Sequence, residues 1–225
     1  MLPMNEFAIV SEGVTDYAVL KNILLGWFKG QDAEPFLKPY QPDPTAEGES
    51  SWQEFGNWEN VLKYLGEKKH RDALEFADFL IVQIDTDQCE HPNFGVSLRE
   101  SDTQLEPPAL VAKVAKKLQE IIGPEDVAFY GERIIFAICV NAIECWLLPL
   151  WDEGKATKCE GCLDAVDRAL AKKNEAPLNK DPNRYRSASK EYNKRKVLLT
   201  EGGKNPSLKI FLNELERRKI VLSVE

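Results

Sequence analysis

An α/β fold with a mostly parallel sheet flanked by helices is what this sequence predicts, on three observations. The apolar run Phe7-Ala8-Ile9-Val10 passes through Ser11-Glu12-Gly13 into an amphipathic stretch. A second run, Phe79-Leu80-Ile81-Val82-Gln83-Ile84, ends in Asp85-Thr86-Asp87, and a third, Arg133 to Val140, leads directly into Asn141-Ala142-Ile143-Glu144. Each run has the length of a buried strand. If the strands are parallel neighbours, their carboxyl ends share one edge of the sheet, and each delivers a carboxylate there.

The remaining elements follow in order. Residues 7–11 read as the first strand, Gly13 allows the turn into a helix, and Thr15 is the expected N-cap. From Asp16 to Phe28, Tyr17, Leu20, Leu24 and Trp27 recur at helical spacing, with Lys21 and Asn22 on the opposite face. Between residues 30 and 58 the composition turns to Pro, Glu, Gly and Ser, and Pro35, Pro39, Pro42 and Pro44 predict a long loop insertion. Its rings, Phe36, Tyr40, Trp52, Phe55 and Trp58, are expected to pin it to the core. A short helix at 60–68 precedes the second strand, and residues 88–106 read as loop. Pro107 to Ile122 is a helix with Leu110, Val114, Leu118 and Ile121 on one face, stopped by Gly123-Pro124. Leu163 to Lys173 and Pro206 to Lys219 read as further helices, separated by a polar, basic stretch without clear periodicity. The expected organisation is a catalytic domain over 1–152 and a basic helical C-terminal extension over 153–225.

Composition removes whole classes. At 225 residues, 43% apolar and 29% charged, the chain can bury one sizeable core. No apolar stretch reaches the roughly 18 residues of a membrane helix, and residues 1–5 lack the start of a secretory leader, so the expected location is the cytoplasm, without membrane contact. Five cysteines are an odd number, and the apolar surroundings of Cys139 and Cys145 suggest buried reduced thiols. The net charge is -8, which alone argues against a polyanionic partner. Its distribution changes that argument: residues 168–219 carry fifteen Lys or Arg against six Asp or Glu, a local charge of +9 that leaves -17 on the remainder. An acidic body joined to a basic segment suits metal-binding carboxylates in one place and a grip on phosphates in another.

Asp85 and Asp87, two apart on extended backbone, point to the same side while Thr86 faces away. Such carboxylates suit Mg²⁺, which takes oxygen ligands and keeps waters and substrate phosphate as its other partners. Glu12, arriving from the neighbouring loop, completes the set or acts as general acid or base where crowding raises its pKa. Asp16 reads either as another ligand or as a first-turn acid favoured by the helix dipole, and the dipole reading is preferred.

Glu-Gly at the end of the first strand and Asp-x-Asp at the end of a later one resemble the motifs of the Toprim superfamily. Ser11 to Asp16, with Asn141-Ala142-Ile143-Glu144-Cys145-Trp146-Leu147-Leu148, looks most like the small standalone bacterial Toprim proteins related to the overcoming-lysogenization-defect nucleases. The likeness spans roughly residues 6–150 and implies a Toprim-like, Rossmann-like sheet. It also implies a divalent-metal-dependent nuclease acting on nucleic-acid phosphodiesters, DNA before RNA, in phage defence or mobile elements. By matching motif, Glu12 is the acid/base, and Asp85 and Asp87 with Glu12 and Glu144 hold Mg²⁺ or Mn²⁺. Glu144 matches the standalone group alone. A partner ATPase and self-association fit the same resemblance. A Tyr-x-Lys element at Tyr192 to Lys194 makes Lys194 the cation expected at the scissile phosphate.

Three rivals stand beside this reading. One is a non-catalytic Toprim-like interaction subunit of a defence complex. Another is a haloacid-dehalogenase-like phosphatase with Asp85 as nucleophile, although that pattern expects Thr or Val where Cys89 stands. Cys159-x-x-Cys162 with Cys89 and His91 would be a structural zinc set, though their spacing does not enforce it.

Overall fold

A computed structural model describes residues 6–42 and 57–222. Four strands form one parallel sheet: β1 (Glu6–Val10), β2 (Phe36–Gln41), β3 (Phe79–Asp85) and β6 (Ile134–Cys139), in the order β2-β1-β3-β6. Arg99–Glu100 (β4) and Thr103–Gln104 (β5) make a separate small hairpin. In β1 and β3, Phe7 pairs with Phe79 and Val10 with Val82; in β3 and β6, Leu80 pairs with Ile134 and Asp85 with Cys139. This register brings Glu12, Asp85 and the turn leading to Glu144 to one end of the sheet.

The two faces of the sheet belong to different apolar clusters, as alternation along each strand requires. Ala8, Val10, Leu80, Val82, Ile84, Ile134 and Ile138 face the helices that follow β2 and β3. These are α2 (Trp58–Gly66), α3 (Lys69–Phe76), α4 (Pro107–Ile122) and α5 (Pro124–Tyr130). Phe7, Ile9, Ile81, Ile135 and Ala137 face α1 (Val14–Trp27) and the C-terminal helices. Those are α6 (Leu148–Trp151), α7 (Cys162–Lys172), α8 (Pro182–Ala188), α9 (Arg195–Thr200) and α10 (Pro206–Arg218), joined by 3₁₀ turns.

The segment expected as a C-terminal extension is thus a layer of the same core: Tyr185, Tyr192, Leu208 and Phe211 are packed with Leu20, Ile23 and Leu24 of α1. This explains why α1 is buried nearly all round. Asn22, expected on an outer face, is 5% exposed and donates to the Arg186 carbonyl at 2.8 Å and to Ser189 Oγ at 2.7 Å. Gly26 permits the closest approach, since a Cβ built there would lie 1.7 Å from the Tyr192 carbonyl oxygen. Arg218, at the end of α10, donates to the carbonyls of Gly131 and Ile134 and so ties the last helix to the outer edge of β6.

Several local expectations shift. The proline-rich stretch contains β2, with Pro39 inside it opposite Ile9; an edge strand tolerates the missing donor. Trp52, Phe55 and Pro44 lie outside the described residues, Phe36 is exposed, and Trp58 is buried against Phe94 with ring centroids 5.5 Å apart. Gly13, not Thr15, caps α1. Gly123, at φ 87°, ends α4, and a further short helix, α5, begins at once. Cys139 is a buried free thiol as expected, but Cys145 is bonded to Cys162, and this joins the turn after β6 to the start of α7. Bonded in that way, Cys162 is no zinc ligand, and Cys89 is buried among apolar side chains. Among the described residues no helix is long and apolar enough to cross a membrane.

If the C-terminal layer is integral to the core, Gly26→Ala forces α1 and the 190–193 turn apart. Overpacking of this kind costs about 1–3 kcal/mol. Denaturant unfolding is expected to show that loss in a single transition that includes the C-terminal helices; an unchanged midpoint would mean that the layer is loosely attached.

Candidate active site

The site is built on a buried glutamine. Gln83, 0% exposed and the one polar residue within the apolar run of β3, accepts from the Glu12 backbone N–H at 3.0 Å. Its amide donates to Asp85 Oδ1 at 2.8 Å. Glu12 in turn accepts from the Asp85 backbone N–H through Oε1 at 2.6 Å. Gln83 therefore fixes both the loop after β1 and the aspartate at the end of β3. Its signal in the sequence is the break in an otherwise apolar strand, since a buried amide is costly unless its hydrogen bonds are made.

The turn after β6 arrives through Asn141, whose φ of 68° is the left-handed conformation that asparagine tolerates. Its N–H donates to Thr86 Oγ1 at 2.8 Å, while the Thr86 and Asp87 N–H groups donate to the Asn141 carbonyl. The Asp85-Thr86-Asp87 segment and the turn toward Glu144 are thereby held against each other. Asp85 Oδ2 accepts from the Ile143 N–H at 3.3 Å, and Glu144 is 2% exposed in the 3₁₀ turn Ile143–Trp146.

Four expected carboxylates, Glu12, Asp85, Asp87 and Glu144, come together, and Asp16 joins them. Asp16 occupies the first turn of α1 and is 6% exposed, with Thr15 Oγ1 donating to it at 3.1 Å. Its position suits the helix dipole, yet it also faces the cluster. Burial and the nearby Glu144 push its carboxyl up to about 7. Burial, with Asp16 and Asp87 beside it, holds Glu12 well above the usual carboxylate range. Asp85 is raised strongly by burial and by Glu12, Asp16 and Glu144. Asp87 is raised by partial burial and by Glu144. Like charges brought this close require protons or a cation.

Two residues that carry no motif in the sequence complete the site. Lys180 Nζ donates to Glu144 Oε1 at 3.0 Å, and the buried Tyr185 hydroxyl donates to the same oxygen. Burial opposes the charge on Lys180, but Glu144, Asp16 and Asp85 outweigh it and hold the ammonium above the usual lysine value. Asn179 and Lys180 have φ of 50° and 53°, two consecutive left-handed residues of the kind that concentrates where a side chain must be aimed. Only the fold reveals either contribution. Lys194 is placed elsewhere. It pairs with Glu191 at 2.8 Å and follows Tyr192 and Asn193, which pack on Gly26, about 18 Å along α1 from its first residue at a rise of ~1.5 Å per residue. The structure does not bring Lys194 to the carboxylates.

The donors are all oxygens, the chemistry that Mg²⁺ and Mn²⁺ take. Among the described residues no group of three or more His, Cys, Asp or Glu side chains is spaced to hold a metal ion. The carboxylates are thus close enough to perturb one another, but wider apart than ligands gathered on a single ion.

The raised carboxyls set the pH dependence of the metal-free protein. Asp16 binds its proton more tightly folded than unfolded, so its contribution to stability is complete below the unfolded value near 3.8 and is lost as pH rises through about 7. Chemical unfolding in chelator is expected to show stability falling across that window. Asp16→Asn should flatten the fall and stabilise the protein at pH 8 by about 1–3 kcal/mol, the scale of an uncompensated buried polar group. A pH-independent wild type would contradict the geometry.

Comparison of the chain with protein-family models, with curated proteins and with solved structures finds no match.

Proposed function

We propose that this protein is a divalent-metal-dependent phosphodiesterase acting on nucleic acid, DNA before RNA. The observation that carries the reading is the convergence of Glu12, Asp16, Asp85, Asp87 and Glu144 from the ends of three parallel strands and the start of one helix, with Lys180 against them. The resemblance of the same residues to the standalone Toprim proteins supports it from the sequence.

Asp85, Asp87 and Glu144 would hold Mg²⁺ or Mn²⁺, and Glu12 would complete that set where it does not act as the acid/base. A bound divalent cation supplies charge neutralisation and polarises phosphoryl oxygen and water. The chain's own residues do the rest. Glu12 has Oε1 held by the Asp85 N–H, and burial with Asp16 and Asp87 beside it raises the affinity of its carboxyl for a proton. As acid/base it takes the proton given up by the attacking water as the new P–O bond forms, and the leaving oxygen takes its proton from solvent as the old bond breaks. Lys180, drawn to the cluster by Glu144, is the cation placed to face the charge that grows on the phosphate. Tyr185 holds Glu144 from behind and leaves Lys180 free to exchange Glu144 for substrate.

Asp85 is a poor covalent nucleophile, because both its carboxyl oxygens accept hydrogen bonds, from Gln83 and from the Ile143 N–H. This favours direct hydrolysis over a phospho-aspartate. The basic C-terminal residues contribute less than their number suggests: Lys194, Lys204, Arg217 and Arg218 are each paired with a glutamate.

Plasmid and single-stranded DNA titrated with Mn²⁺ test the reading. Wild type is expected to cleave only with the metal, and Asp85→Ala to lose all detectable cleavage. Lys180→Gln should lower kcat by about 10²–10³, the cost of one lost transition-state donor, while Lys194→Gln stays near wild type. Equal activity in wild type and Asp85→Ala would reject the site.

A further inference from the structure

A cavity of about 310 Å³ opens beside Asp87. Its inner wall is apolar, formed by Leu98, Leu105, Leu110 and Val140. Leu98 and Leu105 flank the small hairpin, where the Leu105 N–H donates to the Leu98 carbonyl at 2.8 Å, and Gln104 donates to Glu160 at 3.2 Å. Its polar lining residues include Asp87, Gln104, Glu106, Asn141, Thr157 and Glu160, and it has no Lys or Arg. By contrast, another cavity, about 650 Å³ along the outer edge of β6, touches none of the carboxylate cluster.

These features select a ligand class. A pocket edged by Asp87, Glu106 and Glu160 repels phosphate, so a substrate phosphate must stay on the Lys180 side of Asp87. An apolar wall with carboxylate and amide acceptors at the mouth suits a flat, uncharged group that offers N–H donors. The volume lies at the low end of the ~300–1,000 Å³ range of ligand pockets, enough for one nucleoside and too small for a stacked pair. A base can enter only when it is out of the duplex stack.

We propose that this cavity is a subsite for one unstacked nucleobase next to the scissile phosphate, favouring bases with an exocyclic amino group over thymine. Adenine, cytosine and guanine offer an exocyclic amino group to Glu106 and Glu160, whereas the lone N3–H of an unpaired thymine is flanked by two carbonyl oxygens that these carboxylates repel. The proposal rests on the phosphodiesterase reading of the carboxylate cluster and adds its substrate preference.

The test uses three chromogenic diesters with Mn²⁺: the 5′-(4-nitrophenyl phosphates) of deoxyadenosine and thymidine, and methyl 4-nitrophenyl phosphate, which has no base. Wild type is expected to show kcat/KM about tenfold higher for the deoxyadenosine ester than for the thymidine ester, and higher for both than for the methyl ester. In Leu105→Trp, which fills the cavity, the ratio of deoxyadenosine to methyl ester should fall about tenfold. Glu106→Gln with Glu160→Gln, surface changes that leave the core intact, should remove the preference for deoxyadenosine over thymidine. Wild-type turnover of the methyl ester with no advantage for either nucleoside ester would overturn the subsite and leave the phosphodiesterase standing, as would unchanged ratios in both variants. Turnover of none of the three esters would overturn both.

Discussion

Mutual repulsion among carboxylates at one end of the sheet is the constraint on which the rest of this structure depends. Parallel strands β1, β3 and β6 each end at the same edge, and the chain places an acid after every one. A fold does not bring five carboxylates together for stability; each raised carboxyl records free energy spent against the folded state. The compensation visible in the chain is partial: Lys180 and Tyr185 satisfy Glu144, Gln83 satisfies Asp85, and backbone N–H groups satisfy Glu12 and Asp85. What remains is relieved by protonation or by a bound cation.

The surrounding architecture can be understood as support for that edge. Gln83 ties the ends of β1 and β3 to each other from within the core, and Asn141 ties the end of β3 to the turn after β6. The C-terminal helices close the face of the sheet over α1, and the loop between α7 and α8 carries Lys180 back to the site. The Cys145–Cys162 bond sits beside Glu144 and anchors its turn to α7. Placing these side chains on strand ends and braced turns holds them in fixed positions.

How much of this is legible in the residues follows from the range of the interactions. Apolar runs of strand length and the 3.6-residue spacing of α4 are local, so three of the four sheet strands and the long helices are readable. The adjacency of β1 and β3 is inferable because acids at both ends make sense only together. β2 is hidden by its prolines, since pattern alone cannot tell a loop from an edge strand that needs no inward donor from Pro39. Asp16 is visible, but the charge that Glu144, more than a hundred residues away, brings near it is not. Lys180 and Tyr185 carry no local signal: a lysine in a polar stretch becomes a site residue only because α1 and the C-terminal layer share a core. The Tyr192 to Lys194 element points to Lys194 for that role, and a short local pattern does not encode where the fold carries its lysine.

The central claim is that these carboxylates form a divalent-cation site, and Mn²⁺ binding followed by electron paramagnetic resonance tests it most directly. Wild type at pH 8 is expected to remove free Mn²⁺ signal stoichiometrically and to gain thermal stability with rising Mn²⁺ as linkage requires. Asp85→Asn should lose most of that binding, whereas Lys194→Gln should keep it. No uptake of Mn²⁺ by the wild type, or equal uptake by Asp85→Asn, would contradict the account.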